Sequence, residues 1–282
     1  MSRPAAAAAG TERLDVALTR RGLARSRSEA AGLVAAGEVT VNGATATKPS
    51  QKCHPDDVLA LSGQRPQYAS RAGHKLAGAL EVFTGVVPAG LRCLDAGAST
   101  GGFTDVLLRA GATRVVAVDV GHGQLVDELR HDPRVDVHEG LNIRDLIPET
   151  IGGTVDLVVS DLSFISLRLV MAPLAAACRT GADLVLMVKP QFEVGRQALP
   201  RTGVVVDPEA RRRAVAGVVD AALDAGLAPR GLARSPLPGQ DGNAEFFLWL
   251  RREDGAAAGG TASAPDGAPG VDWSSRQDVD WG

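Results

Sequence analysis

Leu94-Asp95-Ala96-Gly97-Ala98-Ser99-Thr100-Gly101-Gly102-Phe103-Thr104 is the stretch that decides the fold of this chain. It follows a short apolar run, Arg92–Asp95, and opens a helical stretch, Gly102–Arg109. Glycines at such a turn let the backbone approach a ligand closely. In open α/β sheets, ligands bind beyond the carboxyl ends of the strands, near this first crossover. The order Gly97-x-x-x-Gly101-Gly102 differs from the GxGxxG dinucleotide fingerprint. The next strand candidate, Val115–Asp119, ends on an acid placed to hold both hydroxyls of a ribose. Taken singly, the glycines could merely make a turn and Asp119 could merely cap a helix. Together they point to a cofactor that carries a nucleoside.

Working outward, further strand candidates are Val135–His138, Val155–Ser160, Leu184–Lys189, Gly231–Ser235 and Phe246–Leu250. Helical stretches fill most gaps, as at Lys75–Phe83, Ile165–Cys178 and Pro208–Ala225. Short, almost wholly apolar strands predict a parallel sheet covered on both faces. The last two strands are joined by a Pro/Gly loop, Pro236–Gly242, which predicts an antiparallel pair at the sheet end. Seven strands with the last antiparallel resemble the Rossmann-like fold of class I methyltransferases. In that resemblance the glycine loop, from Asp95 through Gly97, Ala98, Ser99, Thr100, Gly101, Gly102 and Phe103 to Thr104, cradles the methionine part of S-adenosylmethionine. Asp119 holds the ribose, Asn142 lies on the adenine side, and Asp161 stands near the methyl group.

The chain has 282 residues, 45% hydrophobic and 22% charged, the composition of a globular protein of one large and one small domain. Its longest apolar runs, such as Leu184–Val188, fall far short of the about 20 residues of a membrane span. Met1–Gly10 is Ala-rich but lacks the apolar core of a secretory signal. Three scattered cysteines and no CxxC pair support neither a disulfide framework nor a zinc site, so a reducing cytoplasm and no metal are expected. Residues 253–282 hold one Arg and six acids amid Gly, Ala, Ser and Pro. Such a stretch buries too little apolar surface to offset its ordering entropy, so a disordered tail is expected. Trp273 and Trp281 stand in it as a possible interaction motif against the plainer reading of a functionless tail.

The amino-terminal end is basic: residues 1–75 hold 11 Lys/Arg against 6 Asp/Glu. Within 11–63, Leu14, Ala17, Leu18 and Leu23 fall at helical spacing, and Ala30, Leu33 and Val34 form the apolar side of a second helix. Val39-Thr40-Val41 then runs into an Asn42-Gly43 turn, and Val58–Leu61 is a last short strand. Arg13-Leu14-Asp15, Arg21-Gly22-Leu23-Ala24-Arg25-Ser26-Arg27, Val41-Asn42-Gly43 and Lys48-Pro49-Ser50 together resemble the S-4 domain, a small α+β RNA-binding module. That resemblance implies RNA contact, through phosphates more than base edges, by Arg20, Arg25, Arg27 and Lys48. Residues 64–75 are expected to be a polar, basic linker, with Arg65 and Arg71 as further RNA contacts. The large domain is expected over 76–252.

Four polar residues stand at telling places. Lys75 enters the first helix of the large domain, Asp161 follows the fourth strand, Lys189 closes the fifth, and Glu245 begins the last. A desolvated lysine amine can act as a base, and a ribose 2′-hydroxyl is a poor nucleophile until such a group takes or holds its proton. Singly, each of the four is better explained as an ion pair or a cap. As a set they resemble the Lys-Asp-Lys-Glu tetrad of the FtsJ-like ribose 2′-O-methyltransferases. The segments at 70–76, 93–104, 119–125, 161–166, 188–193 and 242–250, with the S-4 domain, are similar to the TlyA family. Members methylate cytidine 2′-oxygens in large-subunit ribosomal RNA, in some cases in the small subunit too, and are often named haemolysins. The resemblance implies ribosomal RNA as substrate and Lys75, Asp161, Lys189 and Glu245 as catalytic. Phe164 could line the cofactor or target-base pocket, or belong to the core. A monomer is expected.

Three alternatives fit the sequence less well. A pseudouridine synthase also carries an S-4 domain but needs no methyl-donor loop. A membrane-active haemolysin needs amphipathic hairpins or an apolar helix, and the sequence has neither. A non-catalytic ribosome-assembly factor needs no Lys75/Lys189 pair.

Overall fold

The computed structural model describes residues 11–24, 26–35, 37–61, 68–195, 197–253 and 279–281. Its chain falls into two compact units, Met1–Gln67 and Tyr68–Gly282.

The first unit runs β1 (Glu12–Arg13), α1 (Leu14–Arg20), α2 (Arg27–Ala35), β2 (Val39–Val41), β3 (Ala44–Thr45), β4 (Lys52–Cys53) and β5 (Leu59–Leu61). Leu14, Ala17 and Leu18 recur at helical spacing and are fully buried. They pack with Ala30 and Val34 of α2 and with Val39 and Val41. Leu23, expected on the first helix, lies beyond its end at Arg20, after Gly22 with φ +72°. Asn42 and Gly43 both take positive φ, 51° and 82°, as the tight turn between β2 and β3 requires. The sheet order is β3-β2-β5, with β1 and β4 pairing separately.

The second unit runs α3 (Ala72–Val82), β6 (Arg92–Ala96), α4 (Gly102–Arg109), β7 (Arg114–Asp119), α5 (Asp127–Arg130), β8 (Val135–Glu139), β9 (Val155–Ser160), α6 (Met171–Ala177), β10 (Cys178–Val188), α7 (Pro190–Glu193), α8 (Pro208–Asp224), β11 (Leu227–Arg234) and β12 (Phe246–Arg252). Its seven strands are ordered β11-β12-β10-β9-β6-β7-β8. The last strand, β12, is antiparallel to both neighbours, while β10, β9, β6, β7 and β8 run parallel. Side chains alternate between two buried faces. Leu94, Val116, Val158, Leu186 and Phe246 pack with α6 and α8. Cys93, Val115, Val159, Met187 and Phe247 pack with α3 and α4.

Three expectations are revised. The expected helix Ile165–Cys178 is a 3-10 turn at Leu167–Leu169 followed by α6, and β10 starts at Cys178 rather than Leu184. The expected linker 64–75 overlaps the second unit from Tyr68 onward, because Ala72–Lys75 form the first turn of α3. The expected disordered tail is ordered at 279–281, where Val279 and Trp281 are buried in the core of the second unit. Trp273 lies outside the described residues.

Candidate active site

Register brings the strand ends to one edge. Ser160 pairs with Ala96 on one side and Leu186 on the other, Ala96 with Val118, and Val188 with Phe246. The residues just past these positions are Gly97, Asp119, Asp161, Lys189 and Glu245. The strand order reverses between β6 and β9, and Gly97 stands at that switch.

Two buried ion pairs form there. Lys189 Nζ lies 2.7 Å from Asp161 Oδ1 and donates to Ser163 Oγ at 2.8 Å. Lys75 Nζ donates to Glu245 Oε2 at 2.6 Å and approaches Met187 Sδ at 3.8 Å. The lysine side chains are each 9% exposed and Glu245 is 3% exposed. Buried charges need such partners, because taking an ion from water costs several kcal/mol.

The β11–β12 loop closes over Glu245. Arg71 donates to Pro238 O at 2.7 Å, and a Cβ added at Gly239 would sit 2.6 Å from Glu245 Oε1. Ser235 N donates to Glu245 O at 2.8 Å. Buried Asn243 fixes the neighbouring loop, accepting from Val205 N at 2.9 Å and donating to Gly203 O at 3.0 Å.

Beside the ion pairs is a cavity of about 150 Å³ lined by Gly97, Ser99, Thr100, Gly102, Asp161 and Ser163, together with Ala98, Phe103 and Ser70. A smaller recess shares Ala98 and Ser99 and is bordered by Asp119, Gly121, Gln124 and Glu139. Asp119 holds the rim: its carboxylate accepts from Ser99 N at 2.8 Å and Gly121 N at 2.7 Å. Gly97 has φ +90°, and a Cβ there would meet Leu162 Cδ2 at 3.0 Å and Asp161 O at 3.2 Å.

The remaining loop residues support rather than line the cavity. Asp95 is fully buried and accepts from Thr104 Oγ1 at 2.7 Å through Oδ2, while its Oδ1 meets no donor among the described residues. Burial pushes its carboxyl up to about 7, against the pull of the Thr104 hydrogen bond. Gly101 packs under Leu125 and Leu129. Asn142 is exposed, caps the 3-10 turn Ile143–Asp145 through Arg144 N, and stands outside both cavities.

Phe164 is 92% exposed, which removes it from the core. Its φ of +63° is costly for a bulky residue, and its ring packs 5.4 Å from that of Phe192. Sequence reasoning missed Ser163 and Ser70. Ser163 was signalled only by its place two residues after Asp161.

In the first unit Arg20 pairs with Glu12 at 2.5 Å. Arg27 reaches Asp15 at 3.1 Å, and Arg13 holds the same carboxylate. These guanidiniums hold the Asp15 carboxyl well below the usual range. Lys48 is exposed. Arg25 and Arg65 lie outside the described residues.

A model of the FtsJ-like methyltransferases matches residues 68–252, and one of the S4 domain matches residues 12–59. The chain is 52% identical, over 86% of its length and 90% of the relative's, to the 16S/23S rRNA (cytidine-2′-O)-methyltransferase TlyA of Mycobacterium tuberculosis. The chain belongs to the TlyA family of FtsJ-like methyltransferases. Another TlyA relative, the 23S rRNA (cytidine-2′-O)-methyltransferase of Campylobacter jejuni, is 31% identical over 79% of this chain and 93% of its own. A solved structure from Streptococcus thermophilus that carries a hemolysin name aligns with TM-score 0.68 at 40% identity, covering 88% of this chain and 90% of that one. No described helix here is long and apolar enough to cross a membrane.

Proposed function

We propose that this TlyA-family chain is an S-adenosylmethionine-dependent rRNA (cytidine-2′-O)-methyltransferase. Its substrate is large-subunit rRNA and, on the likeness to the mycobacterial relative, small-subunit rRNA as well. The observation that carries this reading is the pair of buried lysine–carboxylate contacts beside the glycine-loop cavity.

The residues fit the cofactor. Gly97 leaves a cradle that a Cβ would crowd, and Asp119 sets a carboxylate on the rim of the adjoining recess, the hydrogen-bond acceptor that a ribose diol needs. Asp119, the Gly97–Gly102 backbone and Asp161 would hold the cofactor. S-adenosylmethionine, when bound, supplies a methyl group on a sulfonium. The chain's part is to align the 2′-oxygen with that carbon, and positioning of this kind is a large share of such a rate.

Lys189 Nζ donates to Ser163 Oγ and has the Asp161 carboxylate beside it as an ion-pair partner, which leaves a position on the nitrogen for the 2′-oxygen. In its amine form Lys189 takes the hydroxyl proton as the new bond forms, and Asp161 balances the charge that results. Lys75 and Glu245 form the second ion pair at this end of the sheet. The exposed Phe164 ring, one residue from Ser163, offers a stacking face to a base displaced from its helix. The first unit supplies phosphate contacts through Arg20, Arg25, Arg27, Lys48 and Arg65. Arg71 serves the Pro238 loop. The three free cysteines suit a reducing cytoplasm, where ribosomal subunits reside, and the chain acts there as a monomer.

The test incubates the purified chain and methyl-labelled cofactor with unmodified 30S and 50S subunits. Label in RNA as 2′-O-methylcytidine, resistant to alkaline cleavage, is the expected result. Labelled base, or no label despite cofactor binding, would overturn the assignment.

A further inference from the structure

Val279, Asp280 and Trp281 make a set of contacts out of keeping with a passive chain end. Trp281 is 5% exposed and Val279 is 7% exposed, both within the core face of α6 and α8. The Trp281 ring packs 5.0 Å from that of Phe246, and the Arg212 guanidinium lies 5.5 Å above it. The Trp281 carbonyl accepts from Arg211, whose Nε is anchored on Val205 O at 2.9 Å. Asp280 pairs with Arg234. Arg211 itself is 7% exposed, and burial lowers its affinity for its proton. An aromatic anchor, a hydrogen-bonded main-chain carbonyl and a matched charge are the elements by which a groove reads a short peptide.

The sequence carries the same tripeptide twice. Val271-Asp272-Trp273 repeats Val279-Asp280-Trp281 eight residues upstream. Both lie in a segment with one Arg and six acids, complementary to the Arg211, Arg212 and Arg234 that line the groove.

We propose that the groove between α8 and the β11–β12 pair is a recognition site for Val-Asp-Trp, and that its occupant is the carboxy-terminal segment of this same chain. Val279–Trp281 fills it, and Val271–Trp273 competes for it as a second register. The site has a bearing on the strand ends above. Trp281 packs on Phe246, next to Glu245, and Asp280 holds Arg234, next to the Ser235 whose N–H donates to Glu245. Occupation therefore buttresses both strands that carry the Glu245 turn. This last consequence rests on the catalytic reading of Glu245, whereas recognition of the tripeptide does not.

The experiment uses the full chain with Trp273→Ala and Trp281→Ala together, and a peptide of residues 275–282 followed by calorimetry. The double variant should bind one peptide. A peptide with Trp281→Ala should bind at least about tenfold more weakly, the loss typical of an aromatic anchor. The wild-type chain, its groove filled, should bind none. The single variant Trp281→Ala should bind the peptide more weakly than the double variant, because Trp273 competes. Equal peptide binding by wild type and double variant, or none by either, would overturn the proposal. If the double variant fails to fold, Asp280→Arg in the full chain, which sets a cation against Arg234 and loosens the chain's own occupant, keeps the question open to test. That variant should bind the native peptide more tightly than wild type does, and no difference between the two chains would contradict the proposal. Methyl transfer by the double variant is read separately. A lowered kcat restored by the peptide supports the link to Glu245, and peptide binding without that effect leaves recognition standing and removes the link.

Discussion

Lys75 Nζ and Glu245 Oε2 stand 2.6 Å apart, one on α3 and the other at the start of β12, 170 residues away in sequence. With 9% and 3% of their side chains exposed, neither has water to fall back on. Lys75→Met should leave a buried carboxylate unpaired and cost roughly 3–5 kcal/mol of stability. Lys75→Met with Glu245→Gln should recover most of that loss, since both charges are then gone. Urea unfolding of the two variants checks the difference.

Asp95 gives the stability a pH dependence. Its folded carboxyl titrates near 7 against an ordinary 3.8, because it is buried at the end of β6. Between those values the native state keeps a proton that the unfolded chain has lost. Its contribution is therefore complete below about pH 4 and is lost as pH rises through 7. Asp95→Asn should flatten this slope and raise stability at pH 8 relative to wild type, by up to about 4 kcal/mol. Unfolding curves at pH 5 and pH 8 for both chains test it.

Gly97→Ala should weaken cofactor binding. The added Cβ meets Leu162 and the Asp161 carbonyl, and φ +90° is strained for any side chain. At least tenfold weaker affinity for S-adenosylmethionine, about 1.4 kcal/mol, is expected by calorimetry with the fold intact by circular dichroism.

Lys48→Ala should weaken binding to ribosomal subunits and lower the salt dependence of that binding by about one counterion. A titration over a range of salt concentrations measures the slope. Arg21→Ala should instead destabilise the first unit, because its guanidinium holds the carbonyls of His54, Pro55 and Asp57.

The sheet was legible because its strands are short apolar runs that end on polar residues, as Val115–Asp119 and Val155–Ser160 do. The pairing of Asp161 with Lys189 followed from the same strand-end logic. Where sequence signals failed, tertiary contacts had decided. The apolar run through Ala177 and Cys178 has no period that separates a helix from a buried strand, so the start of β10 was misplaced. Phe164 is apolar yet exposed, which no hydrophobicity pattern marks. Asn142 fits the place after the third strand but spends its side chain as a helix cap. Trp281 sits in a Gly/Ala/Ser-rich acidic tail, and its burial depends on Phe246 and Arg211, far away in sequence.

The most direct test of the catalytic account is single-turnover methyl transfer to unmodified subunits by wild type and Lys189→Ala, with cofactor affinity measured on both. The account predicts that Lys189→Ala binds S-adenosylmethionine within a fewfold of wild type and transfers about 10²–10⁴-fold more slowly, the range of a lost general base. Transfer by Lys189→Ala at a rate within tenfold of wild type would contradict it.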